Sequence, residues 1–345
     1  MIRPNGQVVV DNSLLRSVAS CDFRGWMRHG QGYTTREEAI AAYAGQAWHE
    51  VMADYLRAEP DERLVQKFEL LYHGYSNEFI PDDPKGRWFR LRWENVDAIL
   101  KEWLVQHPVR GLPFAVNKNL VEVGFQVPLS DECVCGHPEK RHRHGWCQWK
   151  AKCKCQAFVH AFVFYGRLDA LVTAEHDRGL YVLDHKTTGR LTQWKIEEYR
   201  HDSQMSGYVW AARQTTGSNV IGIYISAVEL SSLPNSERKC LTHGAPYSEC
   251  GSLHMKSQLL VYNRTQDQLD EWHATALELA RRYRKLCTDS PTLDHVPQVR
   301  TQGTFHGACI FCDFKDYCAA GRPQDSTMGT LLLHEPWVPF VAEEK

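Results

Sequence analysis

Two aspartates and a lysine flank one short polar turn. Asp169 precedes the turn at Glu175–Gly179, and Asp184 follows it at nearly the same distance along the chain. In an antiparallel hairpin these positions face each other to within a residue, and the two-residue period of a strand places Lys186 on the same face as Asp184. The spacing therefore predicts that the three side chains converge on one side of a single hairpin.

This trio has the composition needed to cut a phosphodiester. Two carboxylates held close together raise each other's pKa unless a cation lies between them. Carboxylate oxygens suit Mg²⁺ or Mn²⁺, and a nearby lysine could orient or help deprotonate a metal-bound water and stabilise developing negative charge. Taken alone, the same residues also fit a solvated Asp–Lys pair on a hairpin surface, which is common.

Two pairs of residues on predicted helices are further candidates for the functional site. A capping-box pattern at 35–38 precedes apolar residues at helical spacing, and on this helix Gly45 and His49 share a face away from the apolar stripe. A neutral histidine there could be a further metal ligand. Gln204 and Tyr208 are also four residues apart; their amide and phenol could bind a phosphate or a base, or could form an ordinary helix surface.

Four short segments carry a family resemblance. They are GQAWH at 45–49, GRLDA at 166–170, LDHKTT at 183–188 and QMSGY at 204–208. In this order they resemble the PD-(D/E)XK nucleases of the RecB/AddB type, including nucleases that accompany CRISPR adaptation modules and related phage exonucleases. The match covers roughly 40–55, 160–230 and the C-terminal cysteines, and Asp184 stands where many members have Glu.

The resemblance implies a role for each matching residue. His49, Asp169 and Asp184 would hold Mg²⁺ or Mn²⁺, with the carbonyl of His185 as a further ligand. Lys186 would be the catalytic lysine. The residues expected to line the DNA path are Gln204, Tyr208 and Arg167.

A set of four cysteines joins the two ends of the chain. Cys309, Cys312 and Cys318 lie close in sequence near the C-terminus, and Cys21 stands alone near the N-terminus. Their spacing fits iron, zinc or free thiols equally, since zinc and cubane clusters both take four ligands. The resembled nucleases use one N-terminal and three C-terminal cysteines to hold a [4Fe–4S] cluster, which implies that cluster here. It would close a loop of almost the whole chain and restrict the unfolded state.

Two further stretches are rich in cysteine and histidine. The first spans 131–156 and offers more ligands than one zinc ion requires: Cys133, Cys135, His137, His142, His144, Cys147, Cys153 and Cys155. Basic residues and two tryptophans interleave with them, so this insert could contact DNA or could be a small stabilising knuckle. The second spans 240–254 and offers a complete tetrahedral set, unless it is an exposed loop with coincidental residues: Cys240, His243, Cys250 and His254.

Composition narrows the class of protein. The 345 residues carry 40 basic and 42 acidic side chains, so a uniformly basic surface is excluded and any nucleic-acid contact must be local. The 12 cysteines suggest metal ligands more than a secreted disulfide scaffold, because the chain is long and starts without a signal-peptide pattern. We find no apolar run of membrane-spanning length, and we expect a cytoplasmic protein of a bacterial or phage-infected cell with no membrane contact.

The element order predicts an α/β fold. Helices are expected over 93–106, 197–214 and 266–287, strands at 120–129, 158–164, 220–228 and 259–262, and a mixed stretch at 60–90. With the resemblance, this becomes a restriction-endonuclease-like central mixed sheet flanked by helices. We expect an N-terminal helical segment at 1–115, a nuclease core at 116–290 and a C-terminal cysteine segment at 291–345 that packs on the N-terminal one.

The function expected from these features is metal-dependent hydrolysis of DNA, as an exonuclease at single-stranded or frayed ends. The chain has no G-x4-G-K-[ST] motif, so long duplexes would need a separate helicase. One alternative is a non-catalytic DNA-binding adaptor that works through its zinc inserts. A redox protein is the other; it is disfavoured because no G-x-G-x-x-G fingerprint accompanies the cysteines.

Overall fold

The computed structural model describes most of the chain. The described residues are 1–35, 40–82, 88–143, 146–147, 157–230, 256–295, 308–322 and 326–337. The helices are α1 Asn12–Ser20, α2 Asp22–Gly25, α3 Ile40–Leu56, α4 Asp61–Phe79, α5 Trp93–Gln106, α6 Gln193–His201, α7 Ser203–Thr216, α8 Gln266–Asp289, α9 Lys315–Ala319 and α10 Ser326–Leu331. The strands are β1 Val8–Val10, β2 Tyr33–Thr35, β3 Phe114–Pro128, β4 His142–Arg143, β5 Trp146–Cys147, β6 Phe162–Ala174, β7 Leu180–Thr188, β8 Val220–Glu229, β9 Ser257–Asn263 and β10 Leu332–His334.

A six-stranded mixed sheet forms the centre. Its order is β1-β6-β7-β8-β9, and β3 also pairs with β6. The β1–β6 and β7–β8 pairs are parallel, whereas β3–β6, β6–β7 and β8–β9 are antiparallel. The expected α/β fold with a central mixed sheet is therefore confirmed.

Helices cover the sheet on both faces because its strands alternate apolar side chains between them. On β7, Val182 packs in a core with α1, α7 and α8. Its neighbours Tyr181 and Leu183 pack in the opposite core, with α3, α4 and α5. The two cores hold α3 and α7 on opposite sides of the same strand.

The sheet opens where β6 and β7 part. Their pairing ends at Ala170 and Leu183. Beyond that point β7 continues beside β8 as far as Thr188, while β6 continues beside β3 and β1. Asp169 and Asp184 are the next residues after the last pair. The register of the structure therefore places them opposite each other at this fork in the sheet.

Some elements differ from their sequence-based expectation. The helix expected at 197–214 is two helices, because the Asp202 side chain accepts a hydrogen bond from Gln204 N and caps α7. The mixed stretch at 60–90 contains α4, whose buried face is Leu64, Phe68, Tyr72 and Ser76. Three of the four residues of the predicted capping box, 36–38, lie outside the described residues.

The N-terminal and C-terminal segments pack together, as the sequence predicts. An aromatic cluster joins them, formed by Phe23, Trp26, Met27, Phe314, Tyr317, Met328 and Leu332. Rings of Phe23 and Tyr317 stack with centroids 6.3 Å apart, and Arg24 pairs with Asp313 at 2.9 Å. Strand β10 pairs with β2. The three domain boundaries themselves stay a prediction.

No helix in the described part of the chain is both long enough and apolar enough to span a membrane.

Buried His29 makes the stability of the fold depend on pH. Its Nε2 lies 3.1 Å from Ser17 Oγ, and its ring edge meets Trp337. Burial, with nearby positive charges adding, lowers the pKa of His29 to about 3. An unfolded histidine binds a proton near pH 6.5, so the unfolded state binds more protons between these values and stability falls as pH falls from 6.5 toward 3.

We expect His29→Gln to weaken this dependence. Urea unfolding at pH 7 and pH 4.5 should show that the wild type loses about 2 kcal/mol more than the variant between the two conditions. The exposed His201→Gln variant is the control and should behave like the wild type. An equal loss in all three proteins would show that His29 titrates normally in the fold.

Candidate active site

The predicted catalytic residues meet at the fork between β6 and β7. Asp169 Oδ2 accepts a hydrogen bond of 2.7 Å from the backbone N–H of His185, so the carboxylate of one strand is tied to the backbone of the other. Lys186 Nζ lies 2.9 Å from Asp184 Oδ2 and donates to Asp184 Oδ1 at 3.2 Å. The structure thus brings Asp169, Asp184 and Lys186 together.

Helix α3 brings His49 to the same place. His49 Nδ1 lies 3.1 Å from Asp169 Oδ2. One helical turn earlier, Gly45 packs on β7, and a methyl group added there would lie 2.9 Å from Thr187 Oγ1. Glycine therefore permits the close approach of α3 that lets His49 reach Asp169.

Helix α7 supplies the fourth motif from the other side of the sheet. Gln204 Nε2 donates a hydrogen bond of 2.8 Å to Tyr208 OH, as their spacing of four residues allows. Burial raises the pKa of Tyr208, opposed by Lys186 and reinforced by the two aspartates. The phenol therefore stays protonated beside the lysine and can donate a hydrogen bond.

The two carboxylates have opposite pKa shifts. Burial raises the pKa of Asp184 to about 6, with Asp169 adding and Lys186 opposing. Burial would also raise the pKa of Asp169, but His49 and the His185 N–H outweigh it and hold this pKa well below its usual range.

Neighbouring charges also shift the pKa values of the two basic groups, His49 and Lys186. Burial lowers the pKa of His49 and Lys186, but Asp169 outweighs it at His49 and Asp184 outweighs it at Lys186, so both pKa values are raised. The Lys186 ammonium is therefore a stable positive charge in this arrangement.

The donors at the fork have the chemistry that a hard divalent cation prefers, although the ligand atoms of His49, Asp169 and Asp184 do not all lie within 4.8 Å of one another. Asp184 is 2% exposed, and its Oδ2 lacks a well-aligned hydrogen bond within the described part of the chain, although Lys186 Nζ is near. A buried carboxylate oxygen of this kind, beside a second carboxylate and an imidazole, is typical of Mg²⁺ or Mn²⁺ ligands. The His185 side chain is also buried and lacks hydrogen bonds to described residues. The ligand that the resemblance implies at this residue is its backbone carbonyl.

Glu122 is a neighbour of the site that sequence reasoning missed. It falls opposite Asp169 in register, between the pairs Val121–Ala170 and Val123–Leu168, and has a positive φ of 60°. Burial raises the pKa of Glu122, and Arg167 opposes this through an ion pair of 2.6 Å. Arg167, expected on the DNA path, therefore also neutralises a carboxylate beside the site. A single glutamate in a strand gives no sequence signal of this left-handed backbone conformation.

Three of the four terminal cysteines meet at the aromatic cluster. Cys21, Cys312 and Cys318 pack against it, and Cys309 is exposed one turn before Cys312. Burial raises the pKa of Cys312, and Cys318 adds to the effect. Thiols from both ends of the chain therefore pack against one cluster, although no three of their sulfur atoms lie within 4.8 Å of one another. The four-thiolate site stays a prediction.

The first insert contains a compact ligand group. The ligand atoms of Cys133, Cys135 and His142 all lie within 4.8 Å of one another, and His137 Nδ1 is 3.3 Å from Cys135 Sγ. This chemistry fits zinc. The structure does not describe the side chain of Cys147, and several predicted ligands lie outside the described residues: His144, Cys153, Cys155, Cys240, His243, Cys250 and His254.

Comparison with known families agrees with this geometry. A profile of the PD-(D/E)XK nuclease superfamily matches residues 12–319, which is most of the chain. The chain belongs to the PD-(D/E)XK nuclease superfamily, a class of hydrolases.

Comparisons with individual proteins do not narrow the function further. No curated protein matches the chain at a significant level. A solved structure described as a "Putative exonuclease" from Eubacterium rectale is similar to 82% of this chain and 83% of its own, with 13% identity and a TM-score of 0.42. At that TM-score the likeness carries no argument about activity.

We expect Gly45→Ala to reduce nuclease activity by about 10- to 100-fold, because its methyl group meets Thr187 Oγ1 and pushes His49 away from Asp169. Replacing Thr187 by Ala removes that oxygen. The double variant Gly45→Ala, Thr187→Ala should therefore recover most of the activity of Thr187→Ala alone, measured on labelled DNA. A double variant as weak as Gly45→Ala would refute the steric explanation.

Proposed function

We propose that this protein is a Mg²⁺- or Mn²⁺-dependent deoxyribonuclease that acts as an exonuclease on single-stranded or frayed DNA ends. The observation that carries the proposal is the meeting of Asp169, Asp184, Lys186 and His49 at the fork of the sheet, in a chain of a nuclease superfamily.

Asp169, Asp184 and His49, with the His185 carbonyl, would hold the catalytic metal. When bound, a divalent ion lowers the pKa of a water and polarises the phosphate. The His185 N–H fixes one oxygen of Asp169, and His49 lies against that same oxygen, so the orientation of this carboxylate is set before substrate arrives.

Lys186 acts as a fixed positive charge. Burial lowers the pKa of Lys186, but Asp184, 2.9 Å away, outweighs it and raises this pKa. The ammonium can therefore stabilise the negative charge that develops on the phosphate in the transition state. Tyr208 and Gln204 lie beside it as neutral hydrogen-bond donors, suited to a phosphate or base of the same strand.

The remaining metals would be structural. A [4Fe–4S] cluster on Cys21, Cys309, Cys312 and Cys318 would link the two terminal segments, with zinc as the alternative. Structural zinc would fold the first insert through the group around Cys133, and another zinc ion would fold the second insert. A separate helicase would supply unwound strands.

Removing the lysine tests the reaction. Lys186→Ala should lower cleavage of labelled single-stranded DNA with Mn²⁺ by about 100- to 1,000-fold, because the charge opposite the developing negative charge is lost. Lys285→Ala removes an exposed lysine that pairs with Asp289 on α8 and should keep wild-type activity.

The adaptor alternative predicts a different result. A wild-type protein that binds DNA but cleaves no DNA in Mg²⁺ or Mn²⁺ would contradict the nuclease proposal and favour the non-catalytic adaptor.

The cluster is tested by metal content. Anaerobically purified wild-type protein should be brown and contain about four iron atoms per chain, and Cys312→Ala should lose colour and iron and unfold at a lower temperature. Cys287→Ala is the matched control, since Cys287 contacts the same aromatic cluster but is not one of the four ligands. A colourless wild-type protein containing zinc alone would overturn the iron assignment and leave the nuclease site untouched.

A further inference from the structure

A cleft opens immediately beyond the predicted catalytic lysine. One wall is the end of β7 and the loop after it, where Thr187, Thr188 and Arg190 follow Lys186. The other wall is the segment before α5, which contributes Trp88 and Arg90. We call this space the strand-end cleft; it has a volume of about 430 Å³, in the range of small-ligand sites.

The lining of the strand-end cleft has the chemistry of a phosphate and base site. Arg190, which is exposed, and Arg90, which also has an interaction within the fold, line the two walls, and the described lining contains hydroxyl groups but no carboxylate. The whole chain has a net charge of −2, so this positive lining is a local feature. Guanidinium groups bind phosphates through paired hydrogen bonds. The half-buried indole of Trp88 lines the cleft while packing against the core around α3 and α4, and indoles are stacking partners for bases.

Aromatic and basic side chains continue beyond the cleft. Four residues after Arg190, in the first turn of α6, Trp194 is 82% exposed, and Lys195 follows it. Lys195 pairs with Glu198 at 2.8 Å, so the exposed indole is the feature that extends the surface beyond the cleft. Exposed aromatic rings near positive charge are typical of surfaces that bind single-stranded nucleic acid.

The choice of a single strand follows from the aromatic groups. In a duplex the bases stack on each other and their faces are covered, so an indole cannot reach them without unstacking. Unpaired bases present both faces. A cleft that combines Trp88 with two arginines therefore suits one strand.

We propose that the strand-end cleft binds the single DNA strand next to the scissile phosphate, with Trp88 stacking on a base and Arg90 and Arg190 contacting backbone phosphates. This inference rests on the proposed function, because the cleft begins at Thr187, the residue after Lys186, on the face of β7 that packs against α3. It adds Trp88, Arg90 and Arg190, which lie outside the four motifs, as the residues that select the unpaired strand.

Binding measured without cleavage tests the cleft separately from the reaction. In a Lys186→Ala background, fluorescence anisotropy with labelled oligo-dT should show about 10-fold weaker binding after the further change Arg190→Glu. The double change Arg90→Ala, Arg190→Ala should weaken binding similarly and reduce the salt slope by about 0.7 per lost phosphate contact. The control is Arg63→Ala, which removes an exposed arginine of α4 that pairs with Glu59. It should bind the oligonucleotide as tightly as the Lys186→Ala protein.

Two outcomes would overturn the inference. One is parental affinity and salt slope in both arginine variants. The other is an equal loss of affinity for blunt duplex of the same length, since the cleft is assigned to a single strand. Arg190 is exposed, so Arg190→Glu should fold normally; its unfolding temperature is measured alongside.

Cross-linking locates the base. An oligonucleotide containing 5-iodouracil, irradiated in complex with the Lys186→Ala protein, should attach to Trp88, as mapped by mass spectrometry. Attachment only to residues outside the strand-end cleft would refute the placement. Both binding experiments use a protein that need not cleave, so a wild type without nuclease activity would refute the proposed reaction while leaving these results readable.

Discussion

The hydrogen bond from the His185 N–H to the Asp169 carboxylate is the contact on which the site depends. It joins β6 to β7 at the point where their ladder has ended and the two strands turn to different partners. A carboxylate at this place ends the pairing without leaving the amide unsatisfied. At the same opening, His49 of α3 reaches Asp169.

Charge balance at the fork explains why so many ionisable groups are buried together. Two carboxylates face one lysine and one histidine, and each cation is held by its own acid. Buried charges persist in proteins only when they are paired or bind a metal. Arg167 pairs with the neighbouring Glu122 in the same way, so what the site offers a divalent cation is its set of carboxylate oxygens, not an excess of negative charge.

Much of this arrangement could be predicted from the sequence. The turn after Asp169 fixes the hairpin register, and the two-residue period then sets the faces of Asp184 and Lys186. The spacing of four residues likewise predicted the Gln204–Tyr208 pair. These inferences worked because they depend on local periodicity.

Features that depend on tertiary packing could not be predicted. Glu122 has a positive φ within β3 and lies opposite Asp169, and its pairing with Arg167 depends on that placement. The strand-end cleft joins the segment around Trp88 to the end of β7, two regions far apart in sequence with no shared motif. The split between α6 and α7 depends on one cap at Asp202, which competes locally with a continuous helix.

The most direct test of the account is a titration of Mn²⁺ into anaerobically prepared protein, followed by calorimetry, for the wild type and Asp184→Asn. If the fork is a divalent-metal site, the wild type should bind Mn²⁺ and the variant should bind it at least about 10- to 100-fold more weakly. Equal Mn²⁺ affinity in the two proteins, or no binding by the wild type, would show that the fork is not a divalent-metal site.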